Sequence, residues 1–148
     1  MRCLNLGAGK DIRRGIDEWV NLDKVSLPGI DVVHDIANPL PFPDNSFDFV
    51  YCSHILEHLG FDKKVYIFEE LWRITKPQGR IEILLPNFSH RNAYFDPTHL
   101  SVWEIHNVDY FVPGHWANYY GRCRWNIIKS EIRGNEQEEI HWILEVVK

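Results

Sequence analysis

Gly7-Ala8-Gly9 follows a short, uncharged, mostly apolar run, Cys3 to Leu6. Such a run suits a central strand, and two glycines after it let the backbone turn with no Cβ between it and a ligand. In an open α/β sheet, ligands sit in the crevice beyond the carboxyl ends of such strands. The turn is therefore a candidate cofactor floor, although a strand followed by G-x-G also serves as a plain structural turn. A dinucleotide-binding turn would carry a third glycine to pack its helix against the strand; Ile12 stands at that position. His54, Glu57 and His58 form a second group. At i, i+3 and i+4, a helix would put them on one face, where two imidazoles and a carboxylate can hold a divalent metal. The plainer reading, adopted here, is that Glu57 and His58 hydrogen-bond within the fold and no metal is held.

The elements that must position these residues follow from pattern. Glu18 to Asp23 and Ile30 to Asp35 read as strands, each ending on an acid. Pro39, Pro41 and Pro43 then exclude a helix. Phe47 to Cys52 reads as a fourth strand, after which Ser53 can cap a short helix over His54 to Leu59. Asp62 can cap a longer one to about Thr75, with Val65, Phe68, Leu71 and Trp72 on its buried stripe. Pro77-Gln78-Gly79 stops it, and Arg80 to Leu85 is a fifth strand. Alternating strands and helices imply a mostly parallel sheet. Trp125 to Ile132 and Glu139 to Val147 read as two strands joined by a turn short enough to make them antiparallel. The first four strands leave little room for helices between them. Several alternate in polarity, as in Leu4 and Leu6 against Cys3 and Asn5, so one sheet face should be thinly covered.

Bulk properties narrow the class. A chain of 148 residues suits one domain, 1–148, with a proper core. A net charge of −5 argues against gripping nucleic acid by its phosphates. No apolar run nears the length of a membrane span, and no signal-peptide pattern opens the chain. Cys3, Cys52 and Cys123 are widely spaced and odd in number, which suits reduced core thiols and a cytoplasmic location.

Four segments together resemble the class I S-adenosylmethionine-dependent methyltransferases, in particular small members with an E-H-L element after strand four. They are Leu4 to Gly9, Val20 to Asp23, Pro41 to Val50 through Glu57-His58-Leu59, and Arg73 to Arg80. The resemblance implies a Rossmann-like sheet of seven strands, mostly parallel, with a C-terminal antiparallel hairpin and reduced helices on one face. It implies S-adenosylmethionine as cofactor and methyl transfer to an O or N atom of a small-molecule acceptor. Gly7, Ala8 and Gly9 would lie under the methionine part, and Asn5 stands where the family usually has an acid. Asp23 would accept from both ribose hydroxyls, while Asp35 and Ile36 would flank the adenine. Ser53 and His54 would lie beside the reacting methyl.

The segment 91–125 is rich in aromatics and holds His99, His106 and His115. Its Asp96-Pro97-Thr98-His99 resembles a loop that follows strand five in similar methyltransferases. It reads as a substrate or lid segment, or as a second small core. For an acceptor that must lose a proton, His54 is the first candidate base and His99 the second. Two other functional readings compete: a nucleotide- or NAD-binding protein, and a non-catalytic methyltransferase-like subunit that meets a partner, or a second copy, through the thinly covered face.

Overall fold

The computed structural model describes residues 1–114, 119 and 121–148. Its strands are β1 (Arg2–Leu6), β2 (Glu18–Asp23), β3 (Val32–Val33), β4 (Phe47–Ser53), β5 (Thr75–Pro86), β6 (Trp125–Arg133) and β7 (Glu139–Val146). They form one sheet in the order β3-β2-β1-β4-β5-β7-β6. β3, β2, β1, β4 and β5 are parallel, and β7 lies antiparallel between β5 and β6. The order reverses between β1 and β4, so the crevice of an open α/β sheet opens at their carboxyl ends.

The core lies on one face. Leu4 and Leu6 of β1 sit beside Val50 and Cys52 of β4, which sit beside Ile81 and Ile83 of β5. All six are buried. The helix α1 (Lys64–Ile74) covers them with Ile67, Phe68, Leu71 and Ile74. That stripe is rotated from the expected one: Val65 is exposed, and Trp72 sits at the margin, its indole N–H donating to the Val147 carbonyl. Phe68 stacks on Phe111 at 4.6 Å and meets Trp103, Trp125 and Trp142 edge-on or tilted. Trp103, Phe111 and Trp125 of the aromatic-rich segment thus form a second core layer, whereas Tyr94, Phe95, Tyr110 and Tyr119 are exposed. His115, Trp116 and Tyr120 of that segment lie outside the described residues. The three cysteines are free and buried, as core thiols would be.

The opposite face has alternating partners and, among the described residues, no helix between β1, β2, β3 and β4. Its coverage comes from side chains. The Arg13 guanidinium lies 3.6 Å over the Tyr51 ring and 5.4 Å from Trp19, which meets Phe49 edge-on.

Three expectations need correction. Ser53 caps nothing, because it is the last residue of β4. His54 follows with φ of 52°, which cannot begin a right-handed helix. Only Leu56–His58 makes a 3-10 turn. Asp62 falls inside a second such turn, Phe61–Lys63, and α1 starts with no side-chain cap. Pro77-Gln78-Gly79 does not precede β5 but lies within it: Thr75 pairs with Phe47 and Arg80 with Phe49. The surplus residues form a bulge, with Gln78 at φ 62°.

Candidate active site

The turn after β1 is closed by its neighbour strand. Gly7 and Ala8 both donate backbone N–H to the Leu22 carbonyl at 2.9 Å. Gly9 donates to one carboxylate oxygen of Asp23, and Val25 donates to the other, each at 2.9 Å. Each Asp23 oxygen therefore keeps a lone pair for a further donor. Beyond these strand ends lies a cavity of about 260 Å³, whose lining includes Gly7, Asp23, Asp35, Ile36 and His58. Apolar Leu22, Ile55, Leu59 and Leu100 complete much of its wall. A carboxylate at the end of β2, a second two residues past β3 and an apolar wall together suit a nucleoside.

Asn5, Ala8, Gly9 and Ser53 are not among the residues lining this cavity. Asn5 is buried and donates its amide to the Asp11 carbonyl and to the Asn21 side chain. Asn21 in turn bonds Arg13 and Asp31. The backbone N–H of Asn21, with help from Arg14, holds the Asp31 carboxyl below the usual carboxylate range. Asn5 thus organises the link between β1 and β2. Lys24, His34 and Ala37 also line the cavity; sequence reasoning passed over them, and only their adjacency to Asp23 and Asp35 marked them.

A second, wider cavity of about 560 Å³ lies beside the first, lined in part by His54, Phe95, Asp96, His99, Arg133 and Glu139. His54 is held in the left-handed region just past β4, with its N–H donating to the Leu84 carbonyl. A non-glycine residue there stores strain of the kind found at functional sites. Its imidazole stands between two carboxylates, Glu57 at 3.5 Å and Glu139 at 2.8 Å. Together they raise its pKa above the ordinary histidine value, against the opposing effect of burial. Arg133 pairs with the same Glu139. The β6–β7 turn, read from sequence only as a hairpin, therefore supplies part of this wall. No signal in the sequence joins Glu139 to His54, 85 residues away.

The structure does not gather His54 into a metal-ligand set with Glu57 and His58. It brings His99 to them instead: one donor atom each from Glu57, His58 and His99 lie within 4.8 Å of one another. The plainer reading of this region holds for His58, whose Nδ1 meets the Thr98 carbonyl at 3.2 Å and the Thr98 hydroxyl at 3.1 Å. It fails for the carboxylate of Glu57, which is buried and has neither oxygen hydrogen-bonded among the described residues. The Glu57 carbonyl accepts from Leu100 and Ser101, at 2.8 and 3.1 Å, and so ties the 96–101 segment to this turn.

Known proteins resemble this chain in sequence and in fold. A family model described as a methyltransferase domain matches residues 9–83. The demethylmenaquinone methyltransferase of Renibacterium salmoninarum is 41% identical over 71 residues, which are 48% of this chain and 28% of that protein. The chain spans less than half the length of the curated relatives it matches first. A SAM-dependent methyltransferase from Archaeoglobus fulgidus superposes with a TM-score of 0.71 at 20% identity, over 97% of this chain and 85% of that one. Burkholderia thailandensis 1,6-didemethyltoxoflavin-N1-methyltransferase, solved with 1,6-didemethyltoxoflavin and S-adenosylhomocysteine, gives 0.67 at 12% identity, over 99% and 71%. A dinucleotide fold would open a helix after Gly9, whereas residues 10–17 run here as an irregular link. The chain therefore belongs to the methyltransferase-domain family, and its sheet is that of the class I, Rossmann-like S-adenosylmethionine-dependent methyltransferases.

Proposed function

We propose that this chain binds S-adenosylmethionine in the smaller cavity and directs its methyl group to an oxygen or nitrogen of a small molecule in the larger one. The observation that carries this reading is Asp23, a strand-end carboxylate facing the smaller cavity with a lone pair to spare on each oxygen. When bound, S-adenosylmethionine supplies an electrophilic methyl group; the rest falls to the chain. Asp23 accepts from the ribose hydroxyls, Asp35 from the adenine amino group, and Ile36 packs on the ring. The Gly7 turn underlies the methionine part. Aligning the acceptor with the methyl is the main contribution to rate. An alcohol acceptor must also lose a proton, and His54 at the wall of the larger cavity takes it, with His99 as the alternative.

Two measurements test this. Calorimetry with S-adenosylhomocysteine should show that Asp23→Ala weakens binding by about 1.5–3 kcal/mol, the range for hydrogen bonds to charged groups; unchanged affinity sinks the assignment. His54→Ala should lower turnover by roughly 10²–10⁴-fold while cofactor affinity stays put. Near-normal turnover removes His54 from the role.

The face carrying Trp19, Phe49 and Tyr51 favours a second reading, in which the chain acts by stabilising a partner or a second copy. Absence of turnover beside intact cofactor binding would select it.

A further inference from the structure

We propose that Glu57, His58 and His99 form a binding site for a divalent transition metal, on the wall between the two cavities. The starting point is the Glu57 carboxylate, only 2% exposed. Among the described residues neither of its oxygens has a hydrogen-bond partner, and a buried carboxylate left so is costly unless a cation meets it. The nearest cationic candidates are imidazoles that stop short. His54 Nδ1 is 3.5 Å from Glu57 Oε1, and His99 Nε2 is 3.9 Å from it. Neither is a good hydrogen bond. His54 meanwhile gives its other nitrogen to Glu139.

The two remaining histidines are prepared as ligands. His99 Nδ1 lies 3.1 Å from the Ala93 carbonyl, which can only accept, so Nδ1 carries the proton and Nε2 the lone pair. His58 Nδ1 faces the Thr98 carbonyl in the same way. The Thr98 hydroxyl is already committed as a donor to Asp96 at 2.6 Å, so it accepts from His58. Metal-bound histidines characteristically donate the other ring N–H to such a group, which fixes tautomer and orientation. The 3.9 Å between His99 Nε2 and Glu57 Oε1 fits within the ~4.2 Å that two ligands at about 2.1 Å from one ion can span.

The ligand chemistry names the ion. Two neutral imidazoles and one carboxylate suit zinc and neighbouring first-row metals rather than calcium or magnesium. Three protein ligands leave a coordination position open. His58 lines the smaller cavity and His99 the larger, and their rings lie 4.9 Å apart, so the ion sits between the two walls. An oxygen-bearing acceptor is the natural fourth ligand. A bound ion occupies the His99 lone pair, so His99 no longer serves as the alternative base. The ion also pins the 96–101 segment to the 3-10 turn after β4. Asp96, whose Oδ2 lies 3.9 Å from His99 Nε2, and His54, 3.5 Å from Glu57, are further titratable groups facing the site.

The test needs neither cofactor nor turnover, so its outcome is separate from that of the methyltransferase reading. Untagged protein stripped with a chelator is titrated with Zn²⁺ by calorimetry, and with Co²⁺ by visible absorption. The expected result is saturable binding of one ion per chain, with a cobalt band showing nitrogen ligation. Glu57→Gln and His99→Ala should each weaken binding by at least about 10–100-fold, and His106→Gln, which alters an exposed histidine elsewhere, should bind like the parent. Circular dichroism accompanies each variant; if Glu57→Gln does not fold, His99→Ala decides. No saturable binding by the parent, or parent-like binding by His99→Ala, overturns the proposal.

Discussion

Gly7→Ala and Gly9→Ala look alike in sequence and should behave differently. Both glycines have positive φ, 73° and 51°, so alanine at either costs roughly 1–2 kcal/mol of backbone strain. A stiffer unfolded chain returns about 0.4–1 kcal/mol of that. The surroundings then separate them. A Cβ on Gly9 meets nothing within 4 Å. A Cβ on Gly7 would lie 2.4 Å from Ile55 Cγ1 and 2.7 Å from its Cβ. Ile55 packs against the core, so it cannot simply move aside. Overpacking of this kind adds about 1–3 kcal/mol. Gly9→Ala should therefore lose about 1 kcal/mol or less, and Gly7→Ala about 2–4 kcal/mol, a large part of a typical domain's stability. Urea denaturation followed by tryptophan fluorescence measures both. Adding Ile55→Ala to Gly7→Ala should recover part of the difference, as a coupling between contacting sites. Equal losses for the two glycine variants, or strict additivity with Ile55→Ala, would refute the claim that Gly7 is there to let Ile55 approach.

Two further outcomes follow from charge and surface. Glu70 takes two hydrogen bonds from Arg73 and one from Leu40 N–H, and Arg73 foremost holds its pKa below the ordinary value of 4.5. A depressed folded pKa stabilises above the unfolded value and is lost as pH falls through the folded one. Glu70→Gln should thus cost about 1–3 kcal/mol near pH 7 and converge with the parent in acid; a gap that persists in acid would rule out the charge as its cause. The face carrying Trp19, Phe49 and Tyr51 should support self-association, visible by sedimentation as concentration rises and removed by Trp19→Glu; a parent that stays monomeric at high concentration refutes this.

The strands were readable because their polarity alternates: Leu4 and Leu6 join the core cluster, whereas Cys3 lies outside it and Asn5 bonds Asn21. β3 shrank to Val32–Val33 because Asp31 is drawn to Asn21 and Arg14, contacts that local pattern does not encode. Pro77-Gln78-Gly79 misled for a related reason. A turn signal marks a place where the backbone bends, and a bulge within a strand uses the same residues as a loop between elements. Asp23, Asp35 and Ile36, which line the smaller cavity, stood out because the pattern reads as strands ending on Asp23 and Asp35. Glu139, Arg133 and the pairing of His99 with Glu57 did not, because spatial adjacency across the sheet leaves no periodic trace.

The face that lacks helices and the candidate site bear on each other. Helices between the early strands would normally protect the second face of a parallel sheet. Here a side-chain network does part of that work: Asn5, Asn21, Asp31, Arg13 and Arg14 bond the links together, and Arg13 lies over Tyr51. The cavities are not built from that side. Leu22, Ile36 and Leu59, which line the smaller one, belong to the core that α1 covers, and Ile55 packs against it. The larger cavity draws on the ends of β6 and β7 and on the segment after β5. Reduced cover on the opposite face therefore removes none of the walls on which a cofactor and an acceptor would rest. Its cost falls on the polar links around Asn21, where substitutions should weaken the fold before they disturb the crevice.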